Sequence, residues 1–318
     1  MNKFVIFAIF LGFSGPARAE GCWTRLADMP TARSEIAVVE MSGELYVAGG
    51  IQLWGGTQKA FESYDIAANE WRERAALPHR IHHVALAAHG GQVYASGGYT
   101  SLRFTPNAPE LWAYDPGADQ WQARAPMPGP RGEHAMVTIG DRIYVFGGRG
   151  ETGQPVWSYD PAADSWSTDH APMPTYRHSA AIVYDPAKHR VLVMGGRGDD
   201  YQPLATVEAY DPARDRWDRL PDLPTPRAGH GAALIGAEVH LWGGETPDAE
   251  VLDTHDIWDL ATDRWRDGPA LPVARHGIAS LGVGQTGYIV GGGTLAGWRT
   301  IYSAQPWITR FSAQNCPK

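Results

Sequence analysis

A pair of adjacent glycines returns six times along the chain, at Gly49-Gly50, Gly97-Gly98, Gly147-Gly148, Gly195-Gly196, Gly243-Gly244 and Gly291-Gly292. The steps between first glycines are 48, 50, 48, 48 and 48 residues. A period this regular means one supersecondary unit repeated, and nothing in an open β-sandwich requires six near-identical units. Each pair ends an apolar run, such as Ile143-Tyr144-Val145-Phe146. An aromatic–acid pair follows in five repeats, as Tyr64-Asp65, Tyr114-Asp115, Tyr159-Asp160, Tyr210-Asp211 and Trp258-Asp259. Seven residues beyond each of those aromatics stands a tryptophan: Trp71, Trp121, Trp166, Trp217 and Trp265.

One repeat reads as four short strands. In the third, Ala135–Ile139 is strand a, Gly140-Asp141 a tight turn, and Arg142–Phe146 strand b. Residues 156–159 form strand c, and Trp166 opens strand d. Glycines at the end of strand b permit positive φ and close backbone approach. The tryptophan offers a broad face to fill the gap between neighbouring twisted sheets. Double glycine, Tyr-Asp and Trp at a period near 50 resemble the kelch repeat. That resemblance implies an all-β, six-bladed β-propeller of four-stranded blades spanning residues 20–318. It implies little about activity, because kelch propellers include binding scaffolds and unrelated enzymes.

Composition agrees. Glycine (37) and proline (24) punctuate a chain whose charged residues are only 19%, while 43% apolar residues and 13 tryptophans are too many for disorder. A mean hydropathy of -0.32 excludes an integral membrane protein. With 35 acidic against 27 basic residues the formal charge is -8, which argues against a nucleic-acid partner.

Residues 1–19 read as a secretory signal peptide: Lys3, an apolar stretch over 4–13, then Ala17-Arg18-Ala19 before the cleavage point. The apolar stretch is too short for a membrane span, which takes about 20 residues. The expected location is secreted or periplasmic, an oxidising compartment in which Cys22 and Cys316 would form a disulfide. Trp23 opens the mature chain without preceding strands, and the sixth unit, with strand c expected around Ile301-Tyr302, lacks its tryptophan. The segment 23–29 is therefore expected to supply the outer strand of the last blade, closing a monomeric ring.

Strands alternate in direction, so the long b–c and d–a connections share one face, the expected place for function. An arginine precedes strand a in every unit: Arg33, Arg80, Arg131, Arg177, Arg227 and Arg275. His82, His83, His134, His178, His230 and His276 cluster beside them, with Glu35 and Glu133. Either the guanidinium groups line a mouth of the central channel and grip an anion, or they hold blade-end carbonyls and local acids. Trp54 and Trp298, joined by Tyr99 and Tyr201, would stack on sugar rings or pin their own loops. The expected role is a binding module for a protein or carbohydrate ligand, without a cofactor or metal. Arg197-Gly198-Asp199-Asp200 reads as a solvated loop. Strand alternation separates Asp256 from Asp253 and His255, which disfavours a metal site there.

Enzymatic relatives of the kelch fold set narrower tests. The copper oxidases need a cysteine cross-linked to tyrosine, whereas both cysteines here are assigned to the ends. The Glu-x3-Asp-x3-His ligand motif of the iron-dependent specifier proteins is absent. The chain also resembles, distantly, the periplasmic sialic-acid mutarotases, whose pattern places a glutamate after a double glycine and an arginine six residues later. Glu245 follows Gly243-Gly244, but Val251 stands at the second position. The alternative reading is thus a sugar mutarotase acting on an anionic sugar, with Glu245 or Glu133 as acid/base groups beside the arginines.

Overall fold

The computed structural model describes residues 21–105, 108–150 and 154–313. They form the six-bladed propeller that the repeat predicts. Blade 1 comprises Ala37–Met41, Glu44–Ala48, Phe61–Asp65 and Glu70–Glu73, each strand antiparallel to the next. Blades 2 to 5 repeat that order, from Ala85–His89 to Arg264–Asp267. Adjacent innermost strands touch around the whole circle, with Ala279–Val283 of blade 6 meeting Ala37–Met41 of blade 1.

Closure occurs as expected in kind, with one correction of register. Cys22–Arg25 pairs antiparallel with Ile308–Ser312 and completes blade 6. Strand c of that blade is therefore Ile308–Ser312, not the segment around Ile301-Tyr302, which lies in a 3-10 helix, Gly297–Tyr302. The b–c connection of blade 6 carries this extra turn, and its Ile-Tyr pair imitates the strand signal. Phe311, fully buried, fills the aromatic slot that Tyr64, Tyr114, Tyr159, Tyr210 and Trp258 fill elsewhere. Cys22 lies opposite Ser312. Cys316 and the signal-like residues 1–19 lie outside the described residues.

Two hydrogen bonds clasp most blade junctions. Trp121 Nε1 donates to Ala75 O at 2.8 Å, while Ala75 N donates to Asp119 Oδ1 at 2.9 Å. The same carboxylate accepts the Tyr114 hydroxyl, so the Tyr and Trp of the signature join a blade to its predecessor, while Asp115 accepts from Gly117 N and Ala118 N and caps the c–d turn. Ala27, Ala125 and Ala171 stand in the same place toward Trp71, Trp166 and Trp217. Asn69, Asp119, Asp164 and Asp215 all have positive φ, a conformation that Asn and Asp tolerate better than most residues.

Candidate functional site

At the start of each innermost strand one residue adopts the left-handed conformation: Glu35, His83, Glu133, Ser179, Gly229 and Gly277, with φ between 52° and 60°. Their amides form a closed circle. Glu35 N donates to Gly277 O, His83 N to Glu35 O, Glu133 N to His83 O, Ser179 N to Glu133 O, Gly229 N to Ser179 O, and Gly277 N to Gly229 O, at 2.8–3.4 Å. The circle forms the floor of the loop-face mouth. Four of its positions carry polar side chains and two carry none. Such strain at non-glycine residues costs on the order of 1 kcal/mol each and persists only where surrounding structure imposes it.

The arginines do not line this mouth. Arg33, Arg131, Arg177, Arg227 and Arg275 are at most 3% exposed and point into their own blades. Arg33 donates to Gly49 O at 2.7 Å and Ala60 O at 3.0 Å, and pairs with Glu62. Arg177 pairs with Glu208 and Arg227 with Asp256, while Arg275 donates to Thr309 Oγ1. Arg131 instead lies 3.7 Å over the ring of Trp157. The partner always comes from strand c, so the arginine is a bracket across the blade. Arg80 is out of register: Ile81 occupies the buried slot, and Arg80 is an exposed residue donating to Thr57 O. His134 and His230 are also turned away. They stand beneath the circle over glycines of the neighbouring blade, and burial lowers each imidazole to about 3, helped by Arg131 and Arg227 respectively.

What the mouth does contain is a cup of about 420 Å³. Its ionisable lining is Glu35, Glu133, Glu245, His83, His178, His276, Arg149 and Arg197. Each carboxylate is pinned. Glu35 accepts from His83 Nε2 at 2.9 Å. Glu133 accepts from Tyr99 OH at 2.8 Å, from Ser179 Oγ at 2.6 Å, and from His178. Glu245 accepts from Arg197 and from Gly297 N, with His276 Nδ1 at 3.7 Å. Arg149 is the least committed cation: its contact to Glu133 is 3.9 Å, and it donates to Tyr201 OH at 2.9 Å.

Electrostatics follow from these contacts. Burial works to raise the Glu35 carboxyl, but the charge and hydrogen bond of His83, with His276 beyond, bring it to about 2. Burial likewise opposes ionisation of Glu133, and His178, His83 and Ser179 overcome it, leaving it well below the carboxylate range. His83 moves the other way. Burial disfavours its cation, yet Glu35 and Glu133 raise it above the ordinary imidazole value. The Tyr99 phenol is pushed far up by burial and by Glu133, so it stays a donor.

Of the expected residues, Glu35, His83, Glu133, His178, His276, Tyr201 and Glu245 line the cup, and Tyr99 supports it through Glu133. Trp54 is 78% exposed on the adjoining lip. Trp298 belongs to Gly297–Tyr302, and its side chain lies outside the described residues. His255 is buried with His240, at 2.9 Å, and Asp256 is taken by Arg227. No cluster of three metal-ligating side chains occurs among the described residues. Sequence reasoning missed Arg149, Leu102, Phe104, Thr300 and Ile301. For Arg149 a signal existed: the residue after each double glycine is Ile51, Tyr99, Arg149, Arg197, Glu245 or Gly293, and each pairs with the residue before the left-handed position. These two columns vary while the framework repeats.

Comparison with known proteins matches this architecture. The family profile described as the KLHDC2/KLHL20/DRC7 Kelch-repeats domain matches residues 19–169 and 133–304. The chain belongs to this kelch-repeat family, whose propellers generally serve as interaction modules. Beta-scruin of Limulus polyphemus is 37% identical over 81 residues, 26% of this chain and 9% of that protein. Kelch-like protein 34 of Homo sapiens is 30% identical over 219 residues, 67% of this chain and 26% of its own length. Kelch-like protein terF of Aspergillus terreus is 29% identical over 69% of this chain and 51% of its own. The chain therefore spans about half or less of these relatives. Among solved structures, that of YjhT superposes with a TM-score of 0.75 at 17% identity, covering 88% of this chain and 95% of the other. Among the described residues no helix is long and apolar enough to cross a membrane.

Proposed function

We propose that the protein is a binding module whose loop-face cup takes a small, polyhydroxylated ligand bearing an acid group, the chemistry of a sugar acid. The single observation that carries this reading is a cup of about 420 Å³ lined by eight ionisable side chains. That volume falls in the range of about 300–1,000 Å³ used for small molecules. A surface evolved for protein docking is broader and flatter. The three pinned carboxylates accept hydroxyls, and Arg149, only loosely paired, receives the ligand's acid. Calorimetry with N-acetylneuraminic, glucuronic and galacturonic acids, against neutral glucose, tests it. Binding of an acid but not of glucose, weakened at least tenfold by Arg149→Ala, is expected. Equal binding of glucose, or no effect of that substitution, overturns the assignment.

A second reading, mutarotation of the bound sugar, is favoured by one observation: Glu245 and His276 approach to 3.7 Å in the same cup that holds the pair of Glu133 and His178. Opening a pyranose requires a base at the anomeric hydroxyl and an acid at the ring oxygen, and such pairs supply both. Anomerically pure sugar followed by NMR would relax faster with the protein, and Glu245→Gln would remove the acceleration. We further propose export with cleavage after Ala19 and a bond from Cys22 to Cys316. Intact-mass analysis of the protein from its native host, without reductant, would reveal both.

A further inference from the structure

We infer that the cup continues into a second saccharide subsite on its lip, built by Trp54 and Tyr302 with Leu102 beside them. The ligand is then the acidic terminal sugar of a longer glycan. This rests on the reading of the cup as a sugar-acid site and extends it.

The argument starts from where apolar surface is left in water. Among the described residues the exposed large apolar side chains are Leu53, Trp54, Leu102, Tyr201, Val273 and Tyr302. All but Val273 stand on the loops framing the cup. Leu102 and Tyr201 line it, and the Trp54 amide donates to the carbonyl of the lining residue Ile301 at 2.7 Å. Clustering of this kind on an otherwise polar surface marks an interaction site.

Trp54 is held there at a conformational cost. Its φ of 69° is a left-handed conformation unfavourable for a bulky side chain, in a turn closed by Gly55 N donating to Gln52 O at 3.0 Å. The indole meets the edge of the Tyr302 ring at 6.0 Å and 68°, and is otherwise exposed. A residue kept strained and solvated adds nothing to the core, so its use lies outside the chain. Beside it, the Thr300 hydroxyl is buried and has no hydrogen-bond partner among the described residues, although Thr300 lines the cup. A saccharide accounts for the exposed indole, because the C–H face of its next ring covers it. Continuity of lip and cup favours this occupant over a separate protein or lipid surface.

The test compares each sugar acid named above with its α- or β-linked disaccharide and trisaccharide by calorimetry. The longer saccharide of one acid should bind about tenfold tighter than the monosaccharide. Trp54→Ala should remove that gain and leave the monosaccharide affinity unchanged, with Trp54→Phe restoring part of it. Monosaccharide binding without gain from length, or a gain that survives Trp54→Ala, overturns the subsite and leaves the cup reading standing. No binding by any acid overturns both. Trp54-dependent binding to phosphatidylcholine–phosphatidylglycerol vesicles, without any length gain, assigns the lip to a membrane surface instead. Thermal melting of Trp54→Ala should match the parent, since the side chain is exposed.

Discussion

His82 and His83 bring their Nδ1 atoms within 2.6 Å of each other, so a proton lies between them. The outer contacts decide whose it is. His82 Nε2 faces the Ser101 carbonyl at 3.1 Å, which accepts only, so His82 carries its proton there and offers Nδ1 as acceptor. His83 must then donate from Nδ1, and it also donates from Nε2 to Glu35 at 2.9 Å. This arrangement favours the imidazolium form of His83, in keeping with the rise that Glu35 and Glu133 impose on it. NMR titration should find the His83 transition above the ordinary value, and Glu35→Gln should move it down. A His83 that titrates below its ordinary value in the parent protein would contradict the assignment. For stability, a raised imidazole contributes fully below about 6.5, and that contribution is lost as pH rises through its folded value.

The buried arginine brackets predict a contrast between positions that look equivalent in sequence. Arg227 is fully buried and faces Asp256 at 2.5 Å, whereas Arg80 is exposed outside its blade. Arg227→Ala leaves a buried carboxylate without its cation and should cost about 3–5 kcal/mol. Arg80→Ala should cost less than about 0.5 kcal/mol. Urea unfolding of the two variants measures the difference, and equal costs would mean that the bracket is not what holds the blade.

How far the sequence revealed this molecule depends on what each residue answers to. Tyr and Trp recur because most blade junctions share one clasp, the Asp after each Tyr because it caps the c–d turn, and Gly-Gly because a Cβ there would strike neighbouring backbone, so the ring and its count were legible. The arginine column recurs because, Arg80 apart, it brackets the strands of each blade, and for that reason it does not carry the ligand. The cup is written where repetition stops, at Glu35, His83, Glu133 and Ser179 and after the double glycines at Arg149, Arg197 and Glu245. Thr300 and Ile301 were not legible, because the blade 6 connection has no counterpart in the other repeats. Its Ile301-Tyr302 pair even imitated a strand.

Acid should unfold the protein from an unusually high pH. Burial lowers His82, His134, His230 and His255 to about 3 and His240 to about 4. An unfolded chain protonates all of these near 6.5, so below that pH it binds more protons than the native state and stability falls. Each histidine contributes a slope of about 1.4 kcal/mol per pH unit until its native value is reached. Urea midpoints at pH 7, 6 and 5 should drop steadily, and His230→Leu, removing an imidazole with neither nitrogen bonded, should flatten the decline.

Gly132 tests the support of the cup without touching its lining. A Cβ there would stand 2.6 Å from Tyr99 Cζ and 2.8 Å from Cε1, closer than packing permits. The Tyr99 ring must therefore shift, and its hydroxyl leaves the 2.8 Å bond to Glu133. Gly132→Ala should weaken sugar-acid binding several-fold and destabilise by about 1–3 kcal/mol, the usual cost of overpacking. Tyr99→Phe removes the same hydrogen bond with the ring in place. It should reproduce the binding loss with a smaller stability cost, and unchanged affinity in both variants would detach Glu133 from ligand recognition.

The tryptophan clasp makes a last prediction, because one blade lacks it. Trp121 Nε1 and Trp166 Nε1 each donate across a junction at 2.8 Å, to Ala75 O and Ala125 O. Trp265 occupies the same position in blade 5, but its Nε1 is buried without a partner, and Trp258 replaces the tyrosine whose hydroxyl would complete the motif. Substitution by phenylalanine removes ring area in all three and a hydrogen bond in only two. Trp121→Phe and Trp166→Phe should therefore each cost about 1 kcal/mol more than Trp265→Phe, the net worth of one hydrogen bond. Trp265→Phe also relieves an unsatisfied donor, which widens the gap in the same direction. Equal losses in chemical denaturation would show that the indoles hold the blades together by packing alone.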